Sequence, residues 1–137
     1  MLNGKHHNTM KYIVLGLFMT SLFLLSCDEY KPSPSISPDY ISSLNKTLSE
    51  GQQHGASWAN SPEEIGRHFF PPVSHDGGPK LYEVKKEIKS ATDYVVIILE
   101  EGAIDDEVSG EKHTIHFQDN NGHWTIGDLK LEIKRRH

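Results

Sequence analysis

Cysteine occurs once in these 137 residues, at Cys27, which rules out an intramolecular disulfide and leaves no Cys-x-x-Cys pair for redox chemistry or zinc. Stability must come from packing. Catalytic signatures are missing as well: there is no Gly-x-Ser-x-Gly elbow, no phosphate loop and no His-x-x-x-His on a helical stretch. The longest predominantly apolar run, Tyr12 to Leu25, apolar apart from Thr20 and Ser21, has 14 residues, short of the roughly 20 that span a bilayer as a helix. Positive charge is scarce too, with 14 Lys and Arg against 19 Asp and Glu and a formal charge of -5. Lys5 and Lys11 are the only charged residues before Cys27, so the rest of the chain carries -7. Such a module is repelled by nucleic acid and by anionic membrane surfaces.

What is present begins with an address. Lys11 followed by the apolar run Tyr12 to Leu25 is the charged start and apolar centre of an export signal. The residues that end it, Leu24-Leu25-Ser26-Cys27, resemble the lipobox of bacterial lipoproteins. The resemblance implies that residues 1–26 are a signal peptide, that the Cys27 thiol is alkylated with diacylglycerol, and that a peptidase cuts before Cys27, whose new amino group is often acylated. A thiolate is the strongest nucleophile among ordinary side chains, and a small Ser26 leaves the bond accessible. Each buried methylene adds about 0.8 kcal/mol, so two or three chains hold the protein on the membrane. Met10 is an alternative start that gives a compact signal with Lys11 as its charge. The implied location is the bacterial cell envelope, with palmitate or a similar chain at Cys27, and inner versus outer membrane left open. The competing reading is an unmodified cysteine closing a short signal anchor.

Residues 27–38 follow as the lipidated cysteine and a Pro/Ser tether. "DEYKPSPSISP", Asp28 to Pro38, offers only Tyr30 and Ile36 as large apolar groups, and its prolines favour an extended spacer that lifts the domain off the bilayer.

Residues 39–137 read as one small domain. Ser37 as N-cap, Pro38 behind it and the spacing of Ile41, Leu44 and Leu48 predict a helix over about Asp39 to Gln52. Ser61-Pro62-Glu63-Glu64 predicts a second helix over Pro62 to Phe69, ended by Pro71 and Pro72, with Ile65 and Phe69 toward the core. Four strands follow. "LYEVKKEIK" alternates, "DYVVIILE" is apolar on both faces, and "KHTIHFQ" places His113, Ile115 and Phe117 opposite Thr114, His116 and Gln118. Asp119-Asn120-Asn121-Gly122 is a turn leading into "HWTIGDLKLEIK", whose apolar phase flips at Gly127-Asp128 and calls for a bulge. The expected fold class is α+β, with two N-terminal helices packed on one face of a four-stranded antiparallel meander.

Candidate sites are few. Beyond the signal the histidines are His54, His68, His75, His113, His116, His123 and His137, and none has zinc spacing. The acidic stretch Glu100 to Glu111 lacks the alternating ligand pattern of a calcium loop, so it reads as a solvated connection whose charges discourage edge pairing. His75-Asp76 reads as a turn, and the sequon at Asn45 lies on a predicted helix. No catalytic, metal or cofactor residue is assigned.

From Trp58 to Lys134 the chain resembles small uncharacterised bacterial lipoproteins with cystatin-like or NTF2-like sheets. The matching pieces are Trp58, Asp105-Asp106-Glu107-Val108 and Gly122-His123-Trp124, with Glu107 where those proteins have serine and a tail that lacks their cysteine. The resemblance implies a fold and no activity. The expectation is a non-enzymatic acidic module that binds an envelope protein or other envelope component. The alternatives are a pocket-containing enzyme or ligand-binding protein, and a toxin-neutralising or inhibitor lipoprotein. In "YVVIIL", either Tyr94, Val96 and Ile98 face the helices and Val95, Ile97 and Leu99 the other side, or the reverse if the register shifts by one, and the outward row is either covered by the chain or offered to a partner.

Overall fold

The structure is a computed structural model, and it describes residues 29–73, 81–102, 104 and 107–136. Helix α1 spans Pro38–Gln53 and opens on Ser37, whose Oγ accepts a hydrogen bond from the Tyr40 amide at 3.2 Å. Helix α2 spans Pro62–Phe69 and opens in the same way on Ser61, which accepts from the Glu64 amide at 3.4 Å. Each cap satisfies an amide that the first helical turn leaves without a partner. A single 3₁₀ turn, Ser57–Ala59, joins them and presents Trp58, which stacks on His68 with ring centroids 3.8 Å apart.

The sheet has five antiparallel strands: β1 (Lys31–Pro32), β2 (Leu81–Ile88), β3 (Asp93–Glu101), β4 (Val108–Asn120) and β5 (His123–Arg135), in the order β1-β5-β4-β3-β2. The α+β class holds, but the expected four-stranded sheet is corrected to five. The added strand lies in the Pro/Ser segment expected to be a tether, where Lys31 pairs with Ile133 and Pro32 with Glu132. Local composition hides it, because its stabilising partner lies about a hundred residues away in sequence and it occupies the sheet edge, where proline's missing donor is tolerated. The Ser33 amide extends the contact, donating to the Leu131 carbonyl at 2.9 Å.

Strands β4 and β5 meet at Asn121-Gly122, both at positive φ (57° and 85°), the conformation of a two-residue hairpin turn whose twist matches the strands. Opposite Phe117 and His116 stand Ile126 and Asp128, so Gly127 is the extra residue of a bulge. That bulge is what keeps Ile126 and Leu129, each 3% exposed, on the same face despite their odd spacing.

Both helices cover one face of the sheet. Leu44 and Leu48 of α1 and Ile65 of α2 join Val96, Ile98, Ile115 and Phe117 in a single core. Helix α1 also caps the edge of β5. The Asn45 side chain donates to the Ile126 carbonyl (2.8 Å) and accepts from the Ile126 amide (2.7 Å), and Gln52 does the same for Trp124 (3.0 and 2.9 Å). Seven residues apart, two helical turns, these amides imitate the pairing of a neighbouring strand and satisfy an otherwise open edge.

Candidate functional site

The strand register sets which side chains share the uncovered face of the sheet. Ile97 stands opposite Lys85 and Thr114, Leu99 opposite Glu83 and Lys112, and Val95 opposite Glu87 and His116. Val95, Ile97 and Leu99 therefore form an apolar row on the face away from α1 and α2, as the sequence expectation has it. Val95 is only 4% exposed, whereas Ile97 and Leu99 stay partly open. Ion pairs frame the row on both sides. Glu87 meets Lys89 (2.7 Å) and Lys85 (3.7 Å) on β2, and Lys112 meets Glu132 (2.7 Å) across β4 and β5. Exposed pairs of this kind add little stability, so the frame sets orientation more than stability.

The same face is not flat. A hollow of about 340 Å³ opens beside Val95, between Lys89, His116, Gln118 and Asp128 next to the bulge. A groove of about 620 Å³ runs between residues 32–36 and β5, lined by Thr114, Lys130 and Glu132 among others.

A second concavity lies on the helix face. Phe69 to Val73, leaving α2, roof a cleft of about 300 Å³ lined by Ile98, Glu100, Glu111 and His113. Glu100 is 5% exposed, and its Oε1 accepts from the Val73 amide at 2.7 Å. This corrects the expectation of a solvated acidic connection from Glu100 to Glu111. Strand β3 runs on through Glu101 and β4 begins at Val108, so Glu100 and Glu111 are cross-strand neighbours within the sheet. Burial pushes the His113 imidazole down to about 4, so it is neutral near pH 7, and Phe70 stacks over it at 4.3 Å between centroids. The Tyr82 hydroxyl donates to the Phe70 carbonyl at 2.8 Å, and burial raises its pKa.

The third feature is Tyr30. Its ring lies over Gly110, where a Cβ would come within 2.6 Å of the hydroxyl, and the hydroxyl donates to Glu101 Oε1 at 2.9 Å. Lys112 Nζ sits 5.7 Å from the ring centre. Burial and the Glu101 carboxylate raise the Tyr30 pKa, so the phenol stays protonated and the bond holds across the neutral range.

Of the sequence-predicted positions, Cys27, His75, Asp76, Asp105, Asp106 and His137 lie outside the described residues. His113 and His116 point to opposite faces of β4, as expected, and among the described residues no three His, Asp or Glu side chains are placed to hold a metal ion. No helix among them is long and apolar enough to cross a membrane. Sequence reasoning missed Tyr30, Asn45 and the Glu100, Glu111 and His113 cleft. The one legible signal was a lone aromatic in a Pro/Ser stretch, for which a glycine on a distant strand is a natural seat. No family model, no curated protein and no solved structure matches this chain.

Proposed function

We propose that this chain is a bacterial envelope lipoprotein, anchored through Cys27, whose acidic α+β domain binds a partner protein with the uncovered face of its sheet. The observation that carries the binding reading is the row Val95, Ile97 and Leu99, apolar, set in an ion-paired frame beside a hollow, with no described helix over it. An apolar centre inside a polar rim is the anatomy of a docking surface. The lipobox and the apolar run before it support the anchor.

The helix-face cleft supports a binding role over a catalytic one. A general base works best with a pKa near the operating pH, and His113 titrates at about 4. Glu100 is tied to the Val73 amide. A second reading, a small-ligand site, is favoured by the size of that cleft, which lies at the lower end of the range for small-molecule pockets.

The anchor is tested by growing cells on labelled palmitate with the wild-type protein and Cys27→Ala. Label is expected in the wild type alone, with the variant retained as a longer precursor. Equal label in both would remove Cys27 as the attachment point.

A further inference from the structure

Tyr30 is only three residues beyond Cys27, and it is already part of the folded domain. Its ring is seated on Gly110, its hydroxyl is bonded to Glu101, and the next two residues pair with β5. Cys27 can therefore lie no farther than about 11 Å from Tyr30, the reach of three extended residues. We infer that a lipidated Cys27 seats the domain directly on the bilayer by the end of the sheet that carries Tyr30, with the β4–β5 turn at the far end, instead of suspending it on a spacer. This rests on the anchor reading above.

The surface at that end suits the headgroup layer. The chain as a whole is acidic, and its charge would hold an anionic bilayer away. Among the described residues near Tyr30, three carboxylates are paired: Glu132 with Lys112 (2.7 Å), Glu101 with Lys134 (3.8 Å) and Glu107 with Arg135 (3.3 Å). Among the described residues, Lys31, Arg136 and Glu29 are exposed there. These pairs lower the net charge of the described surface at the place where a short lipid leash forces contact. The opposite end is remote, because the 13 residues of β5 extend over roughly 40 Å. Contact with lipid at the Tyr30 end leaves the Val95, Ile97 and Leu99 row on the flank, open to a protein partner.

The test uses the full chain, processed in cells and reconstituted into vesicles of phosphatidylethanolamine and phosphatidylglycerol that carry a headgroup nitroxide. A fluorophore is attached to Arg136→Cys in one preparation and to Asn120→Cys, beside the far turn, in another. Both preparations are checked for palmitate at Cys27. The expected result is several-fold stronger quenching at position 136 than at position 120, with the difference shrinking when Tyr30→Ala opens the clasp. Palmitate present with equal quenching at the two positions would overturn the placement and leave the anchor standing. Palmitate absent would overturn the anchor, and the placement with it. A contrast that persists unchanged in Tyr30→Ala would show that the clasp does not set the placement.

Discussion

The two faces of this sheet are built from the same strands and end in different states. On the helix face, Val96, Ile98, Ile115 and Phe117 are at most 1% exposed and pack into one core with Leu44, Leu48 and Ile65 of the helices, although Lys86 and His113 stand across from Val96 and Ile98. On the other face the alternate residues of β3 are equally apolar, but their cross-strand neighbours are Glu83, Lys85, Glu87, Lys112, Thr114 and His116. The first face gains its stability by excluding water. The second holds Ile97 and Leu99 in partial contact with water, which costs little in isolation and becomes favourable when another surface covers them. The difference teaches that β3 meets two environments along one strand, one residue apart.

Adjacent truncations give the largest effect. Ile98→Ala removes buried methyl groups from the core and is expected to lose about 2–5 kcal/mol in chemical denaturation. Leu99→Ala, on the open face, should lose less than half as much. Equal losses would mean that the second face is as dry as the first.

Acid titration sharpens the contrast through the histidines of β4. His113, on the helix face, has a folded pKa of about 4 against an ordinary 6.5. Because the unfolded chain takes up the proton first, stability falls as pH drops from 6.5 to 4, by roughly 3 kcal/mol for this group. It is fully retained above 6.5. In His113→Gln that part of the acid slope should vanish, measured by denaturation at pH 7 and pH 4.5, with exposed His116→Gln as the control. An unchanged slope in His113→Gln would contradict the burial argument. Glu100 and Glu111, which line the same cleft, remain in both proteins.

How much of this was legible depends on whether the cause was local. The helix caps at Ser37 and Ser61, the Asn121-Gly122 turn and the phase flip at Gly127 are written within a few residues of where they act, and each is in place. The alternation in β3 likewise showed two apolar faces. The fifth strand was not legible, because Lys31 and Pro32 are ordered by β5 and by the seat of Tyr30 on Gly110, far along the chain. Nor was the burial of Glu100, since a dense acidic stretch reads as solvated unless one knows that the strand continues through it. Asn45 gave a misleading signal: a sequon in sequence, it is the residue that pairs with the β5 edge. The helix-face cleft needed the same long-range register to bring Glu111 and His113 under Phe70.

The smallest expected change in stability belongs to Ile97, and it carries the central claim, that the open face is a docking surface. Ile97→Glu, which stands opposite Lys85, should alter stability by about 1 kcal/mol or less. With a photo-crosslinking residue at position 97 of the full chain in living cells, a discrete heavier adduct should form under illumination and be lost when Leu99→Glu is added. The same residue at Thr47, exposed on α1, should give none. No discrete adduct at position 97, or one that survives Leu99→Glu undiminished, would contradict the account.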